Sequence, residues 1–151
     1  MDKDNGIKII ITNKKASFNY FLSDFLECGI ELKGTEVKSI LNHNVSINDS
    51  YVVIRNQEAF IINMNIAQYE KGTYFNHEEL RKRKLLMHKY EIRKYEQKTI
   101  KGGYTIVPTK IYFKNGKCKV EIALAKGKKL FDKRETIKKR DQELYLKKMG
   151  K

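Results

Sequence analysis

The dipeptide Asn115-Gly116 constrains this chain more than any other feature. It stands between two long runs of strand-forming residues, Tyr104 to Lys114 and Lys117 to Lys126. Asn-Gly is the strongest short-range signal for a two-residue hairpin, because both central positions of such a turn need positive φ. In the second arm Cys118, Val120, Ile122 and Leu124 alternate with Lys117, Lys119, Glu121 and Ala123. One face therefore reads as core and the other as wet. The arm then runs, with no Pro or Ser linker, into a basic segment. From Lys126 to Lys151 there are eleven Lys/Arg against four Asp/Glu, half of the formal +14 of the whole chain.

The remaining pattern is that of a small β protein with helices. Ile7 to Thr12 (IKIIIT) reads as a strand. Ser17 is placed to cap a helix carrying Phe18, Phe21, Leu22, Phe25 and Leu26, an apolar stripe at helical spacing, with Gly29 as its stop. Ile30 to Lys33 reads as a short strand and TEVKSIL, from Thr35, as a short helix. SYVVIR (Ser50 to Arg55) and EAFIINMNI (Glu58 to Ile66) flank Asn56-Gln57 as a second hairpin. Gln68 to Lys84 reads as a long irregular loop. A charged helix runs from His88 to about Lys101 and is stopped by Gly102-Gly103. About six strands and three helices, without strict alternation, predict a mainly β fold: a small antiparallel barrel of residues 1–125 with a basic tail, 126–151.

A chain of 151 residues buries roughly two-thirds of its surface and needs neither disulfide nor metal to fold. Cys28 and Cys118 read as free thiols in a reducing compartment. The charged N-terminus has no apolar run after it and no stretch is long enough to span a bilayer, so a cytoplasmic protein is expected. The three histidines, His43, His77 and His88, show no metal-ligand spacing with one another or with the cysteines. There is no P-loop, GxGxxG or GxSxG pattern. No cofactor, metal or catalytic residue is expected, and an enzyme is not.

Nine Tyr and seven Phe argue against a disordered chain, and the positive charge argues for a polyanionic partner. Basic residues at Lys14, Lys15, Lys38, Arg81 to Lys84, Lys117 and Lys119 offer phosphate contacts. Tyr74, Phe75, Tyr104 and Tyr112 offer rings for base stacking. In the tail, Leu130, Ile137 and Leu144 recur every seven residues, a stripe one residue wide. Such a segment is expected to be disordered alone and helical against a polyanion. RNA binding leads this reading. A ribosome-assembly factor with a similar fold remains an alternative, as does an RNA-modifying enzyme, for which a carboxylate or metal cluster would be needed.

Several stretches resemble the SmpB family, the SsrA-binding proteins: NKKASFNYF, ECGIELKGTEVKSI, DSYVVI, RKLLMHKYEIRK and YFKNGKCKVEIALAKGKKLFDKRETIKKR. They cover nearly the whole chain. The resemblance implies an oligonucleotide-binding-type β-barrel, binding to the tRNA-like domain of tmRNA, and its delivery to stalled ribosomes. It implies a tail that folds to a helix in the empty mRNA channel of the small subunit, against its rRNA; the protein is expected to be a monomer. Glu27, Leu86 and Lys119 match family positions used toward RNA. With Asn13, Lys14, Lys15, Lys38, Arg81, Arg83, Lys84 and His88 they form the expected RNA-binding set. Gly127, Asp132, Lys133 and Arg134 match tail positions tied to tagging. Phe131 stands where a ring can stack in the decoding centre. Lys126, Lys128, Lys129, Ile137, Lys138, Lys139 and Arg140 complete the expected ribosome-facing tail. Glu79 stands where the family more often has Pro.

Overall fold

The computed structural model describes residues 6–69 and 76–128. Among these, nine strands and three helices follow in the order β1 (Ile7–Thr12), α1 (Lys14–Asn19), β2 (Tyr20–Ile30), α2 (Gly34–Leu41), β3 (Val45–Ser46), β4 (Tyr51–Arg55), β5 (Glu58–Ile62), β6 (Asn65–Ile66), β7 (Arg83–Leu86), α3 (Lys89–Gly102), β8 (Thr105–Lys114) and β9 (Lys117–Gly127). Seven of the strands form one antiparallel sheet in the order β1-β8-β4-β5-β7-β2-β9, and β8 also pairs with β9. Strand β8 can serve three neighbours because β4 meets its first half, at Val52↔Ile106, and β1 its second, from Thr12↔Lys110 to Ile7↔Lys114. Strands β3 and β6 make a separate two-stranded sheet.

Both predicted hairpins are present. Asn115 and Gly116 have φ of 51° and 80°, and Asn56 and Gln57 have φ of 51° and 62°, the doubly positive turn that follows the right-handed strand twist. The β8–β9 arm buries Ile106, Ile111, Ile122 and Leu124 to 1% exposure or less. Ile40, Ile61, Met64 and Leu85 from four other segments join them in one cluster. Each such side chain contributes about 1.5–3 kcal/mol on leaving water. Helix α3 lays Ile92 and Tyr95 inward and stops at Gly103, whose φ of 68° is left-handed.

The helix expected from Ser17 to Leu26 is not there. Asn13, not Ser17, caps the helix: its side chain accepts from the Ala16 amide at 3.0 Å, and α1 ends at Asn19. Strand β2 then runs eleven residues through the supposed stripe. Its pairing with β9 shifts between Ser23↔Leu124 and Leu26↔Ile122, so one extra residue sits on β2, a β-bulge. The bulge reverses which side the strand presents. Leu22 packs into a small cluster with Ala16, Val107 and Ala125, while Leu26 packs against the main core. A bulged strand thus mimicked helical spacing. Gly29, expected as a helix stop, lies in β2 opposite Leu86; a Cβ there would meet the Leu86 side chain at 3.2 Å.

Candidate nucleic-acid interface

Glu27, Lys84, Leu86, His88 and Lys119 come from three distant parts of the sequence, and the fold brings them to one open cleft of about 710 Å³. Strand β2 supplies Glu27, β7 supplies Lys84 and Leu86, and β9 supplies Lys119. His88 is the N-cap residue of α3, and its amide donates to Glu91 Oε1 at 2.9 Å. Gly29, having no side chain, leaves the floor to Leu86. Leu86 is not a core residue: it alternates with buried Leu85 and is 50% exposed. The cleft therefore offers an apolar floor, three carboxylates (Glu27, Glu58 and Glu91) and three lysines (Lys84, Lys89 and Lys119).

Glu27 is exposed on β2 rather than sitting in a connection after a helix. Tyr112 donates its hydroxyl to Glu27 Oε1 at 2.5 Å, and Lys114 Nζ lies 3.6 Å away. The Tyr112 hydrogen bond, aided by Lys114 and Lys119, holds the Glu27 carboxyl below its ordinary range. It stays an anion, able to accept from base amines and ribose hydroxyls. Directly across the ladder lies Glu121, and like charges placed so are destabilising. Thr109 Oγ1 relieves this by donating to Glu121 at 2.7 Å, and Lys110 does so at 3.7 Å. Lys84 is tied to Glu58 at 2.7 Å. Lys119, like Lys89, has no ion-pair partner among the described residues, which leaves both cations available to a phosphate.

The other expected RNA contacts do not line this cleft. Lys14 and Lys15 are exposed on α1, and Lys15 pairs with Asp49 at 2.6 Å. Lys38 is exposed and lies 5.4 Å from the centre of the Tyr69 ring. Asn13 is only 3% exposed: its amide donates to the carbonyls of Pro108, at 2.9 Å, and Ile47, at 3.2 Å. These bonds pin the start of α1 and leave the Asn13 side chain almost no exposed surface. Arg83 corrects the sequence reading more sharply. It is 0% exposed, donates to Glu36 at 2.6 Å and to the carbonyls of Met64, Arg81, Glu78 and Glu79. Arg81 donates to both oxygens of the same glutamate, at 2.6 and 3.2 Å. These two arginines of the basic run are structural. Burial pushes the Glu36 carboxyl up, but hydrogen bonds from Arg81, the Lys33 amide and Arg83 outweigh it, and the net direction is down.

Strand β9 continues through Gly127, two residues beyond the expected boundary at 125. Lys126 Nζ donates to the Gly102 carbonyl at 2.5 Å and lies 4.6 Å from the Tyr104 ring centre. Lys128 donates its amide to Asn19 at 2.9 Å and its ammonium to Ser17 at 3.3 Å. The tail residues Lys129, Phe131, Asp132, Lys133, Arg134, Ile137, Lys138, Lys139 and Arg140 lie outside the described residues, as do Tyr74 and Phe75. Of the rings expected to stack on bases, Tyr112 is buried and Tyr104 lies under Lys126. Among the described residues the exposed Phe and Tyr rings are Phe21, Phe25, Tyr51 and Tyr90. Sequence reasoning also missed the Tyr112–Glu27 bond, which joins residues 85 apart and has no local signal. Among the described residues no group of His, Cys, Asp and Glu is arranged to hold a metal, and no helix is long and apolar enough to cross a membrane.

Comparison with known proteins matches the family model of SmpB protein to residues 10–151. The chain belongs to the SmpB family. It is 53% identical to an SsrA-binding protein of Caldicellulosiruptor bescii over 147 residues, covering 97% of this chain and 93% of the relative. With an SsrA-binding protein of Malacoplasma penetrans it shares 57% identity over 135 residues, 89% of this chain and 92% of the relative. A solved structure, "tmRNA-SmpB: a journey to the center of the bacterial ribosome", superposes with a TM-score of 0.67 at 44% identity. The match covers 80% of this chain and 85% of that one.

Proposed function

We propose that this protein is an RNA-binding factor, not an enzyme, that holds the tRNA-like domain of tmRNA and carries it to stalled bacterial ribosomes for peptide tagging. The observation that carries this is the cleft: within a member of the SmpB family, Glu27, Lys84, Leu86, His88 and Lys119 converge on one open surface. Lysines neutralise phosphates, the ionised Glu27 accepts from base or ribose donors, and Leu86 packs under a sugar or base. Lys14, Lys15 and Lys38 extend the basic surface; Arg81 and Arg83 do not belong to it. The framework is an oligonucleotide-binding-type barrel. Its support is the circuit of pairings β8-β4-β5-β7-β2-β9 and back to β8, around one core cluster. Residues beyond Lys128 are the part that enters the empty mRNA channel of the small subunit. The protein works in the cytoplasm and as a monomer.

A gel shift of the full chain against tmRNA and against an ordinary tRNA tests the reading, together with a chain truncated after Lys128. The full chain should prefer tmRNA, and the truncated chain should keep that preference while losing tagging of stalled peptides. Equal affinity for both RNAs would refute the specific reading. Normal tagging by the truncated chain would refute the assignment of the tail.

A further inference from the structure

Two large rings stand in water beside the cleft with no apolar cover. Phe25 is 55% exposed and Tyr90 65%, and both line a second, smaller open pocket of about 220 Å³. Neither position is accidental. Phe25 lies on the β2 bulge, between Ser23 and Leu26, where Asp24 adopts a φ of 51°. Buried Tyr95 of α3 donates its hydroxyl to the Asp24 carbonyl and braces that corner. Bulges of this kind re-aim a side chain and recur next to binding sites. Tyr90 projects from the first turn of α3 and stacks on His88, with ring centres 5.5 Å apart and planes inclined by 10°.

His88 lines the cleft, and Tyr90, stacked on it, lines the second pocket. Glu91 borders both. The charge of the smaller pocket decides what it takes. Lys94 is set there against Asp24 and Glu91, a balance that repels a phosphate and suits a neutral, flat group carrying both donors and acceptors. The volume is below that of drug-sized ligand sites, roughly 300–1,000 Å³, and suits a single base. Unpaired bases splayed onto aromatic side chains are the common mode of RNA readout.

We propose that Phe25, Tyr90 and Lys94 hold one unpaired base of the RNA whose backbone lies in the cleft. The base stacks on the two rings, its acceptors face Lys94, and its amino groups face Asp24. This rests on the RNA-binding reading above and adds a base-reading subsite to it.

The test compares the full chain with Phe25→Ala/Tyr90→Ala and with Phe25→Trp/Tyr90→Trp, each titrated with tmRNA over a range of salt. Losing one stacked base should weaken binding about 5- to 150-fold. Because no phosphate contact is removed, the slope of log affinity against log salt should not change. The Trp pair should restore affinity. Ultraviolet cross-linking of the wild-type complex should place an adduct on Phe25 or Tyr90. If the wild-type chain prefers tmRNA over tRNA but the Ala pair binds within twofold of it, the subsite is refuted and the RNA-binding reading stands. A weakened Ala pair that the Trp pair does not restore, or whose salt slope also falls, likewise refutes stacking. If the wild-type chain itself shows no preference for tmRNA, the RNA-binding reading falls and takes the subsite with it.

Discussion

Glu36 and Glu27 are both glutamates facing cationic side chains, and both are held below the ordinary carboxyl range. Their surroundings make them different devices. Glu36 is 0% exposed; Arg81, Arg83 and the Lys33 amide occupy its oxygens. Nothing is left over for a ligand. Glu27 is exposed, has one short bond from Tyr112, and shares its cleft with a lysine that has no salt bridge among the described residues. A cluster whose hydrogen-bonding capacity is filled from within stabilises a fold. One left partly open to water can exchange that water for RNA.

The largest expected effect lies at the closed cluster. Arg83→Ala should destabilise the protein by about 3–5 kcal/mol in urea unfolding, because it takes the wholly buried cation from Glu36, leaving only Arg81, and strips the donor from the carbonyls Arg83 serves. Replacing both, Glu36→Leu with Arg83→Met, should cost less than Arg83→Ala alone. The acid limb of stability carries the same signature. The folded-state pKa of Glu36 lies below its ordinary value, so its contribution is present above the carboxylate range and is lost as pH falls through it. Glu36→Gln should flatten that limb, and an unchanged limb would show that Glu36 is not held as an anion.

At the open cleft the effects move from stability to binding. Lys119→Ala should leave unfolding within about 0.5 kcal/mol of wild type and lower the salt slope of RNA binding by about one contact, roughly 0.7–0.9. A stability loss like that of Arg83→Ala would erase the contrast between the two clusters. The smallest effect is expected from Tyr112→Phe. Removing the donor should raise the Glu27 titration midpoint, followed by carboxyl carbon NMR, while the ring stays packed. A midpoint that does not move would give the lysines, not Tyr112, the control of Glu27.

The sequence made this contrast hard to see, because Arg81 to Lys84 reads as one basic run. Period-two alternation was the missed clue: Arg83 and Leu85 share the buried face of β7, while Lys84 and Leu86 share the outer one. The two hairpins were legible because a turn with two positive φ values restricts the residues that can form it. Helices α2 and α3 were legible too, and the stop of α3 at Gly103 rests on the same positive φ. Strand β2 was not, because its bulge breaks the alternation that identifies a strand. Its outward Phe21 and Phe25 also imitate a buried stripe. Within the cleft, Glu27 and Leu86 came from resemblance to the family, whereas Lys119 was also legible from its charge. Their convergence depends on pairings such as Gly29↔Lys119 and Gly29↔Leu86, which no local pattern encodes.

The anchoring of Lys126 and Lys128 has a mechanical consequence. The last strand ends at a fixed post, bonded to Gly102 on one side and to Ser17 and Asn19 on the other. Whatever follows is on a leash measured from that post. Chain gains at most about 3.3–3.6 Å of reach per residue, so the distance from the cleft to any point served by residues beyond Lys128 is counted from this post. A single inserted glycine after Lys128 would lengthen that count by one residue without touching a contact in the fold.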